Sequence, residues 1–504
     1  MKRVIPFLTA LLMLLPLAAC GTKSPPQQDP TDAPTDTGTS PSTAEDRENT
    51  PDSLPQDLSF DGAEVGIFYG SFDTVFDNTL YEMEGQTSGD LVPNAVWARN
   101  DRVEKRLNIQ LTFKKTENTQ TTKAYRKELE KLIMNNETKY DIYYHRGATS
   151  LIQVNQGMFL PLDRLSYLDF EKPWWYTEQM REISLNANSN YVLMGEMLLS
   201  NYSNMTAVFF NHDLYQRLFP NADRSLYEVV RDNDWDWEYY SELISQAWLD
   251  QDGNGFPSAG DSFGAAYEVD SNRTCTYYPY TSGLQFSSRT DDGFPELDIF
   301  KPATISMVEK LYDLLYNNEG SFPLTFEEAK QSFVSGKLLF HPYFLSHGMI
   351  IQQNASFDYG VLPFPKYNEE TDYTTAILSG AGVMVIPKIL PANRTEVVGA
   401  TLEALSAESY RNVSLKYYNT ILKTRQASGP EDAAMVDFIR EHLKFDLTFW
   451  AGGSIGNVTN IFKEVIITNH GKDLTSYWKQ NGGIYEGALA DLIDKYKKEI
   501  ASAG

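Results

Sequence analysis

The chain has 504 residues, of which 42% are hydrophobic and 13% aromatic, and its formal net charge is −25. This is the composition of a globular protein large enough for two cores, and its acidity excludes nucleic acids and anionic lipid surfaces as electrostatic partners. The two cysteines, Cys20 and Cys275, provide no cysteine zinc cluster. We expect Cys275 to be buried and inert.

Residues 1–19 have the pattern of a secretory signal peptide. Two basic residues precede a mostly apolar run, residues 4–17, which is too short for a comfortable transmembrane span. The small residues before Cys20 resemble a bacterial lipobox, which implies cleavage before Cys20 and attachment of lipid such as palmitate. We therefore expect lipid anchoring on the outer face of the bacterial cytoplasmic membrane. The alternative is an ordinary signal with an incidental cysteine.

A tether is predicted over residues 20–57. This stretch is rich in Pro, Thr, Ser and Asp and nearly empty of large apolar residues. Because it cannot bury enough surface to offset its chain entropy, we expect it to be disordered and to hold the folded part away from the membrane.

The folded part opens with alternating strand and helix patterns. Apolar or alternating runs predict strands over 63–70, 108–113 and 140–144, and helical spacing predicts helices over 97–107, 124–134 and 151–165, the last broken at Gly157. Strand and helix in alternation predict an α/β fold with a parallel sheet. Ligands of such sheets bind beyond the carboxyl ends of the strands, which here lie near Tyr69 and Tyr144.

Five segments of the chain carry a family resemblance in their order. They read RVEKRLNIQLTF, KYDIYYHRGATSLIQVNQGMFLPLDRL, NMTAVFFNHDLYQRL, FVSGKLLF and DYGVLPFPKYNEE. Together they resemble the extracellular solute-binding lipoproteins of carbohydrate ABC importers, the family 1 proteins similar to maltose-binding protein. The resemblance implies a type II periplasmic-binding-protein fold, in which two α/β lobes joined by crossing segments close on a sugar.

Polar or small residues between apolar runs mark the predicted crossings. They occur at Asn201–Asn204, at Ser379–Gly382 and near residues 445–456. On this basis the first lobe is residues 58–201 and 380–445. The second lobe is residues 206–376 and 450–504.

The candidate ligand-binding residues are aromatic and polar side chains at predicted strand ends and crossings. Aromatic rings stack on the faces of sugar rings, and polar groups pair with the hydroxyls. The candidates are Tyr69, Tyr144, His145, Arg146, Ser203, Asn204, Tyr343, Phe344 and Trp450. Tyr69 and Tyr144 have the alternative of packing under a loop, and Arg146 has that of a surface ion pair. The Trp174–Trp175 pair favours a structural wedge over sugar contact.

An EF-hand-like calcium pattern lies within residues 250–261. Counting from Asp250, acidic or amide side chains fall at positions 1, 3 and 5, Gly255 at 6 and an acid at 12. The ligands would be Asp250, Asp252, Asn254, Phe256 (through its carbonyl) and Asp261. Asp261 departs from the usual glutamate. We expect a structural Ca²⁺ as the one cofactor; the alternative is a metal-free surface turn.

The sequence gives little indication of an enzyme. No phosphate-binding GxxxxGK[ST] loop or HExxH motif occurs. The letters of GxSxG occur at residues 452–456, but we expect no nucleophile elbow there and no catalytic residues. Composition alone leaves a retaining glycosidase open. The predicted function is therefore a monomeric receptor that delivers a carbohydrate, of oligosaccharide size, to ABC permease subunits. The alternatives are a binding protein for peptides or another solute, and a surface lipoprotein that adheres to or degrades polysaccharide.

Overall fold

The computed structural model describes residues 47–71, 82–87, 89–154, 156–377, 381–419 and 429–503. Cys20, the signal peptide and the first part of the predicted tether lie outside these residues. Ser379 and Gly380 of the second predicted crossing also lie outside them. Among the described residues, no helix is long and apolar enough to cross a membrane.

Two sheets organise the described chain, and both lie within residues 44–504, which form one compact unit. The strands are β1 (Ala63–Gly70), β2 (Ile109–Thr116), β3 (Ile142–Arg146), β4 (Thr206–Asn211), β5 (Phe263–Glu268), β6 (Ser287–Arg289), β7 (Pro295–Leu297), β8 (Ser321–Leu324), β9 (Leu338–Phe344), β10 (Tyr359–Leu362) and β11 (Gly382–Val385). The strands β6 and β7 form a separate antiparallel hairpin.

Helices cover the faces of both sheets. They are α1 (Leu91–Leu107), α2 (Lys123–Met134), α3 (Gly147–Val154), α4 (Thr177–Ile183), α5 (Leu199–Ser203), α6 (His212–Leu218), α7 (Leu226–Arg231), α8 (Trp237–Ser245), α9 (Thr274–Tyr280), α10 (Pro302–Tyr316), α11 (Phe326–Val334), α12 (His347–Asn354), α13 (Thr395–Asn412), α14 (Ser414–Tyr417), α15 (Pro430–Glu441), α16 (Leu447–Trp450), α17 (Ile461–Lys463) and α18 (Leu474–Ala503).

The first sheet has the strand order β11-β3-β1-β2. Strand β1 is parallel to β2 and β3, as the alternating strand and helix pattern predicts, and β11 returns antiparallel to β3. The last six residues of β1 are all buried because helices pack on both faces of the sheet.

The helix predicted over 151–165 is shorter in the structure. Helix α3 ends at Val154, and Gly157 turns the chain with a φ of 63°.

The second sheet has the strand order β10-β4-β9-β5-β8. Strand β5 is parallel to β8 and β9, whereas β4 is antiparallel to β9 and β10. The carboxyl ends of β5, β8 and β9 therefore meet at one edge of this sheet. That edge forms one wall of a cleft between the two sheets.

Three chain segments lie side by side between the two sheets. The amide of Thr206 donates to the carbonyl of Ala376 at 2.9 Å, and the amide of Thr375 donates to the carbonyl of His442 at 2.8 Å. The amide of Lys444 returns to the carbonyl of Thr375 at 3.0 Å. The chain thus passes between the sheets near residues 204–206, 375–377 and 442–446, where backbone hydrogen bonds join the three segments.

The second lobe extends further along the chain than the sequence predicts. Helix α15 packs on β10, and the Asp432 carboxylate accepts hydrogen bonds from the Tyr227 hydroxyl at 2.6 Å and the Val361 amide at 2.8 Å. Residues 430–441 therefore belong with the second sheet, although we assigned them to the first lobe. The reason is tertiary: Asp432 is buried and finds its donors only there.

The end of the predicted tether is packed rather than disordered. Arg47 is 3% exposed, lies 3.8 Å over the ring of Tyr410 and pairs with Glu196 at 2.5 Å. Leu54 is also buried, and Asp52 accepts hydrogen bonds from Arg106. The prediction of disorder is therefore wrong for residues 47–57, because a few anchoring side chains find partners that composition does not reveal.

Candidate functional site

A cavity of about 680 Å³ opens between the two sheets. This is within the usual size range of small-molecule sites, about 300–1,000 Å³. One wall comes from the end of β3 and the first turns of α3, and the opposite wall comes from the ends of β5, β8 and β9 and the helices that follow them. The floor comes from the first crossing and from residues 449–460. The cavity thus lies at the carboxyl ends of strands from both sheets.

Six of the nine candidate residues line this cavity. They are Arg146, Ser203, Asn204, Tyr343, Phe344 and Trp450. Each lies at the end of a strand or in a crossing, which is the rule by which the sequence selected it. Ser203 and Asn204 are held in place by side-chain hydrogen bonds to the carbonyl of Ser200, at 3.0 Å and 2.8 Å.

The other three candidates, Tyr69, Tyr144 and His145, do not line the cavity, so their selection as ligand contacts is not supported. All three are fully buried. The hydroxyl of Tyr69 donates to Glu84, and that of Tyr144 donates to Glu82. These two tyrosines lie below the ends of their strands, where helices and neighbouring strands cover them.

His145 is excluded from the cavity by the alternation of side chains along β3. Because Arg146 faces the cleft, its neighbour His145 faces the opposite side of the sheet. There it pairs with Gln153 and packs edge-on against Tyr125 and Phe159. Burial lowers the pKa of His145 to about 4, so its imidazole is neutral.

An aromatic wall on the second lobe includes residues that the sequence analysis missed. The rings of Phe326 and Tyr343 are stacked with centroids 5.3 Å apart, and the Arg273 guanidinium lies 4.0 Å over Phe326. His347 packs on Tyr343 with ring centroids 3.5 Å apart. Phe326 follows β8 and Arg273 follows β5, so the strand-end rule applied to these strands would have found both.

Two side chains of this wall, Tyr343 and His347, are neutral hydrogen-bonding groups. Burial raises the pKa of Tyr343 to about 12, which keeps its hydroxyl protonated. Burial, together with the neighbouring His341, lowers the pKa of His347 well below its ordinary value. Tyr343 and His347 therefore line the cavity with uncharged donors and acceptors, which suit sugar hydroxyls.

Trp450 is enclosed between the cleft and the first lobe. Its side chain is only 1% exposed, and its ring lies 4.8 Å from that of Phe445 at an angle of 32°. A Cβ added to Gly147 would come within 2.1 Å of the Trp450 ring, so this glycine makes room for the indole. The indole N–H is buried and has no acceptor among the described residues.

Arg146 projects into the cleft from the end of β3. No ion pair or side-chain hydrogen bond of Arg146 is found in the part of the chain that the structure describes, and its Nε is buried without an acceptor. Burial, with the charge of nearby Arg126, lowers the pKa of Arg146 from its ordinary value. The surface ion pair considered from the sequence is therefore not seen.

The conspicuous pair Trp174 and Trp175 is buried in the first lobe, away from the cavity. The indole N–H of Trp175 donates to Glu403 at 3.1 Å, and Trp174 packs on Tyr410. This arrangement matches the structural wedge that the sequence favours.

The predicted calcium loop lies between α8 and β5 on the second lobe. Carboxylate oxygens of Asp250, Asp252 and Asp261 all lie within 4.8 Å of one another. Asp261 is buried, and its oxygens accept hydrogen bonds from the amides of Gln251 at 2.9 Å and Ser258 at 3.0 Å. Three hard carboxylate oxygens on one loop are a donor set that suits Ca²⁺.

The other two predicted calcium ligands lie at the exposed tip of this loop. The side-chain oxygen of Asn254 accepts a hydrogen bond from the amide of Phe256 at 2.7 Å. Gly253 and Gly255 have positive φ, 73° and 75°, which lets the loop turn twice within three residues.

Comparison with known proteins defines the fold. No family model matches the chain, and no curated protein sequence does so. A cyclo/maltodextrin-binding protein complexed with maltotetraose has a TM-score of 0.53 and 12% identity, over 87% of this chain and 97% of that one. This chain has the two-lobe α/β fold of that protein. The α/β fold predicted from the sequence is thereby confirmed.

Two further structures have weaker scores. UgpB from Mycobacterium tuberculosis, in complex with glycerophosphocholine, has a TM-score of 0.49 and 14% identity, over 87% of this chain and 99% of that one. The ABC substrate-binding protein Lmo0181 from Listeria monocytogenes, in complex with cycloalternan, has a TM-score of 0.47 and 13% identity, over 88% and 100%.

Proposed function

We propose that this protein captures a carbohydrate of oligosaccharide size in the cleft between its lobes and delivers it to the permease of an ABC importer. The observation that carries the proposal is the cleft itself, which is lined by both lobes and by the segments that connect them. A ligand that touches both walls has more contacts in a closed form than in an open one. It therefore stabilises the closed form by its differential affinity, and a permease can recognise that form.

Two features of the cleft support a carbohydrate over other solutes. The aromatic rings of Phe326 and Tyr343 line the cavity, and the polar side chains of Thr149, Asn204 and Asn457 line it as well. Apolar faces ringed by hydroxyl partners are what a pyranose requires. The related fold that holds maltotetraose is consistent with this assignment.

The cellular setting follows from the amino-terminal sequence. We infer that Cys20 carries lipid after removal of residues 1–19, and that the protein acts on the outer face of the cytoplasmic membrane. Lipid-anchored protein should be labelled by a radioactive or alkyne fatty acid. A Cys20→Ala variant should lose the label and appear in the medium. Labelling that persists in this variant would contradict the assignment.

The test of ligand class is a thermal-melt screen of the protein lacking residues 1–43. Neutral and acidic oligosaccharides, monosaccharides, peptides and amino acids are compared at equal concentration. A saccharide at 100 times its Kd should add about 2.7 kcal/mol to the free energy of unfolding. A response to peptides alone would reject the carbohydrate proposal and favour the peptide-binding alternative.

Closure is tested separately by small-angle scattering. The radius of gyration should fall when the saccharide found in the screen is added. A ligand that binds without any change of radius would contradict capture by lobe closure. Release of reducing sugar from the bound saccharide would instead favour the polysaccharide-degrading alternative.

We further propose that the loop of residues 250–261 binds a structural Ca²⁺. The three clustered carboxylates support this, because like charges this close repel unless a cation or hydrogen bonds offset them. The melting temperature should rise with Ca²⁺ and fall with chelator. Asp252→Asn should remove the response, whereas Asp291→Asn, which changes an exposed acid outside the loop, should retain it. A melt indifferent to chelator would exclude the metal.

A further inference from the structure

The charged side chains that line the cleft are mostly basic, although the whole chain is acidic. The protein has a net charge of −25, yet the charged residues that line its cavity are three cations and one acid. The acid, Glu327, pairs with Lys330 at 2.5 Å, and Arg273 pairs with Glu268 at 2.8 Å. The third cation, Arg146, remains without a carboxylate among the described residues.

A partly buried guanidinium without a counter-charge is costly to maintain. Removing a charge from water costs several kcal/mol unless hydrogen bonds and an opposite charge replace the water. The Nε of Arg146 is buried and lacks an acceptor, whereas its two Nη groups are neither buried nor bonded within the described chain. They therefore open toward the cavity, where a ligand can reach them.

The backbone next to Arg146 also favours negative charge. Helix α3 begins at Gly147, directly after Arg146, and its first turn lines the cavity through Ala148 and Thr149. Gly147 donates its N–H to the carbonyl of Ala381, whereas the N–H groups of Ala148 and Thr149 lie in the first turn, where a helix offers no i−4 acceptor. Free N–H groups at a helix start attract anions.

We propose that the carbohydrate bound here carries an anionic group, and that the Arg146 guanidinium binds this group from the first-lobe wall. The proposal rests on the proposed function and narrows its substrate class to acidic saccharides. The shared chemistry is an oxyanion with at least two free oxygens, either the carboxylate of a uronic acid or a sulfate or phosphate ester. A guanidinium accepts such a group through two parallel hydrogen bonds, which a single sugar hydroxyl cannot provide.

The sharpest test compares saccharides that differ only in charge. Galacturonate, glucuronate and mannuronate trimers are titrated calorimetrically beside their methyl esters, which keep the carbon skeleton but remove the charge. Sulfate- and phosphate-ester oligosaccharides form the second arm and distinguish the two sources of the oxyanion. We expect binding by one acidic class, weaker binding of its neutral counterpart and an affinity that falls with added salt.

Variants of Arg146 then assign the effect to this side chain. Arg146→Gln should weaken acidic-saccharide binding by about 10- to 100-fold, the range expected for a charged hydrogen bond. Arg146→Lys should retain part of the affinity because it keeps the charge and loses only the paired geometry. Arg102→Gln is the matched control, since Arg102 is 43% exposed and pairs with Glu408 outside the cleft. The Arg102→Gln variant should bind the acidic saccharide with the affinity of the unchanged protein.

The failures of the two proposals are distinguishable. Binding of neutral oligosaccharides with no binding of any acidic one would overturn the inference about Arg146 and leave carbohydrate capture standing. Acidic-saccharide binding that Arg146→Gln does not weaken would also overturn it, given an unchanged circular-dichroism spectrum. If that variant does not fold, an Arg146→Lys variant that binds the acidic saccharide as tightly as the unchanged protein would do so, because the paired geometry would then contribute nothing. No response to any saccharide would remove the proposed function as well.

Discussion

Replacement of Trp450 should affect stability and binding by separable amounts. The ring is 1% exposed, and a buried tryptophan removes on the order of 150–250 Å² from water. At about 25 cal/mol per Å², this burial contributes about 4–6 kcal/mol. Trp450→Ala should therefore lower the free energy of unfolding by about 3–5 kcal/mol, the range measured for large aromatic deletions.

Trp450→Phe isolates the indole N–H from the packing. This N–H has no acceptor among the described residues, so its loss should leave stability nearly unchanged apart from a small cavity. If the bound saccharide accepts a hydrogen bond from it, affinity should fall by about 0.5–1.5 kcal/mol, or roughly 2- to 13-fold. Trp450→Ala should lose more affinity than Trp450→Phe, because the whole ring that shapes the cleft is removed.

The assays are urea unfolding for stability and calorimetry at low temperature for binding. Trp97→Ala is the matched control, because Trp97 is 45% exposed on α1 and should contribute little to either quantity. A Trp450→Ala variant within 1 kcal/mol of the original stability, on the order of the Trp97 control, would refute the packing argument. Unchanged affinity in both Trp450 variants would remove the residue from the binding site.

Three further predictions concern the anchoring segment, pH and metal. Arg47→Met should lower the free energy of unfolding by about 3–5 kcal/mol because it leaves Glu196 buried without its ion-pair partner. Adding Glu196→Gln should restore part of this loss. Equal urea midpoints for the unchanged protein, the single variant and the double variant would contradict this prediction. Burial lowers the pKa of His145 to about 4 and that of His341 to about 3, so the unfolded chain binds these protons at higher pH than the folded protein. Stability should therefore fall as the pH is lowered from about 6.5 to about 4, by up to about 3 kcal/mol for His145, and a double leucine variant should flatten that slope in urea titrations. Asp261→Asn should lower the free energy of unfolding more than Asp252→Asn does, even without Ca²⁺, because Asp261 is buried and accepts two backbone hydrogen bonds. A larger loss for Asp252→Asn, measured in chelator, would contradict the loop geometry.

The sequence determined the local elements and the edge at which the site lies. Apolar runs and helical spacing placed β1, α2 and β3 to within a few residues, because a buried sheet and an amphipathic helix require those periods wherever they occur. The strand-end rule then placed Arg146 and Tyr343 at the cavity. The strand-end rule requires only the direction of the strands, which the alternation of strand and helix patterns already implies.

Tertiary structure decided which of the strand-end residues reach the cleft. His145 and Arg146 are neighbours in sequence, but the pleat of β3 turns one into the core and the other into the cavity. The packing of residues 430–441 on the second sheet and of Arg47 on Tyr410 depends on partners more than 70 residues away in the chain. Such contacts are invisible to local patterns, because burial and charge compensation are properties of the space around a side chain and not of its neighbours in sequence.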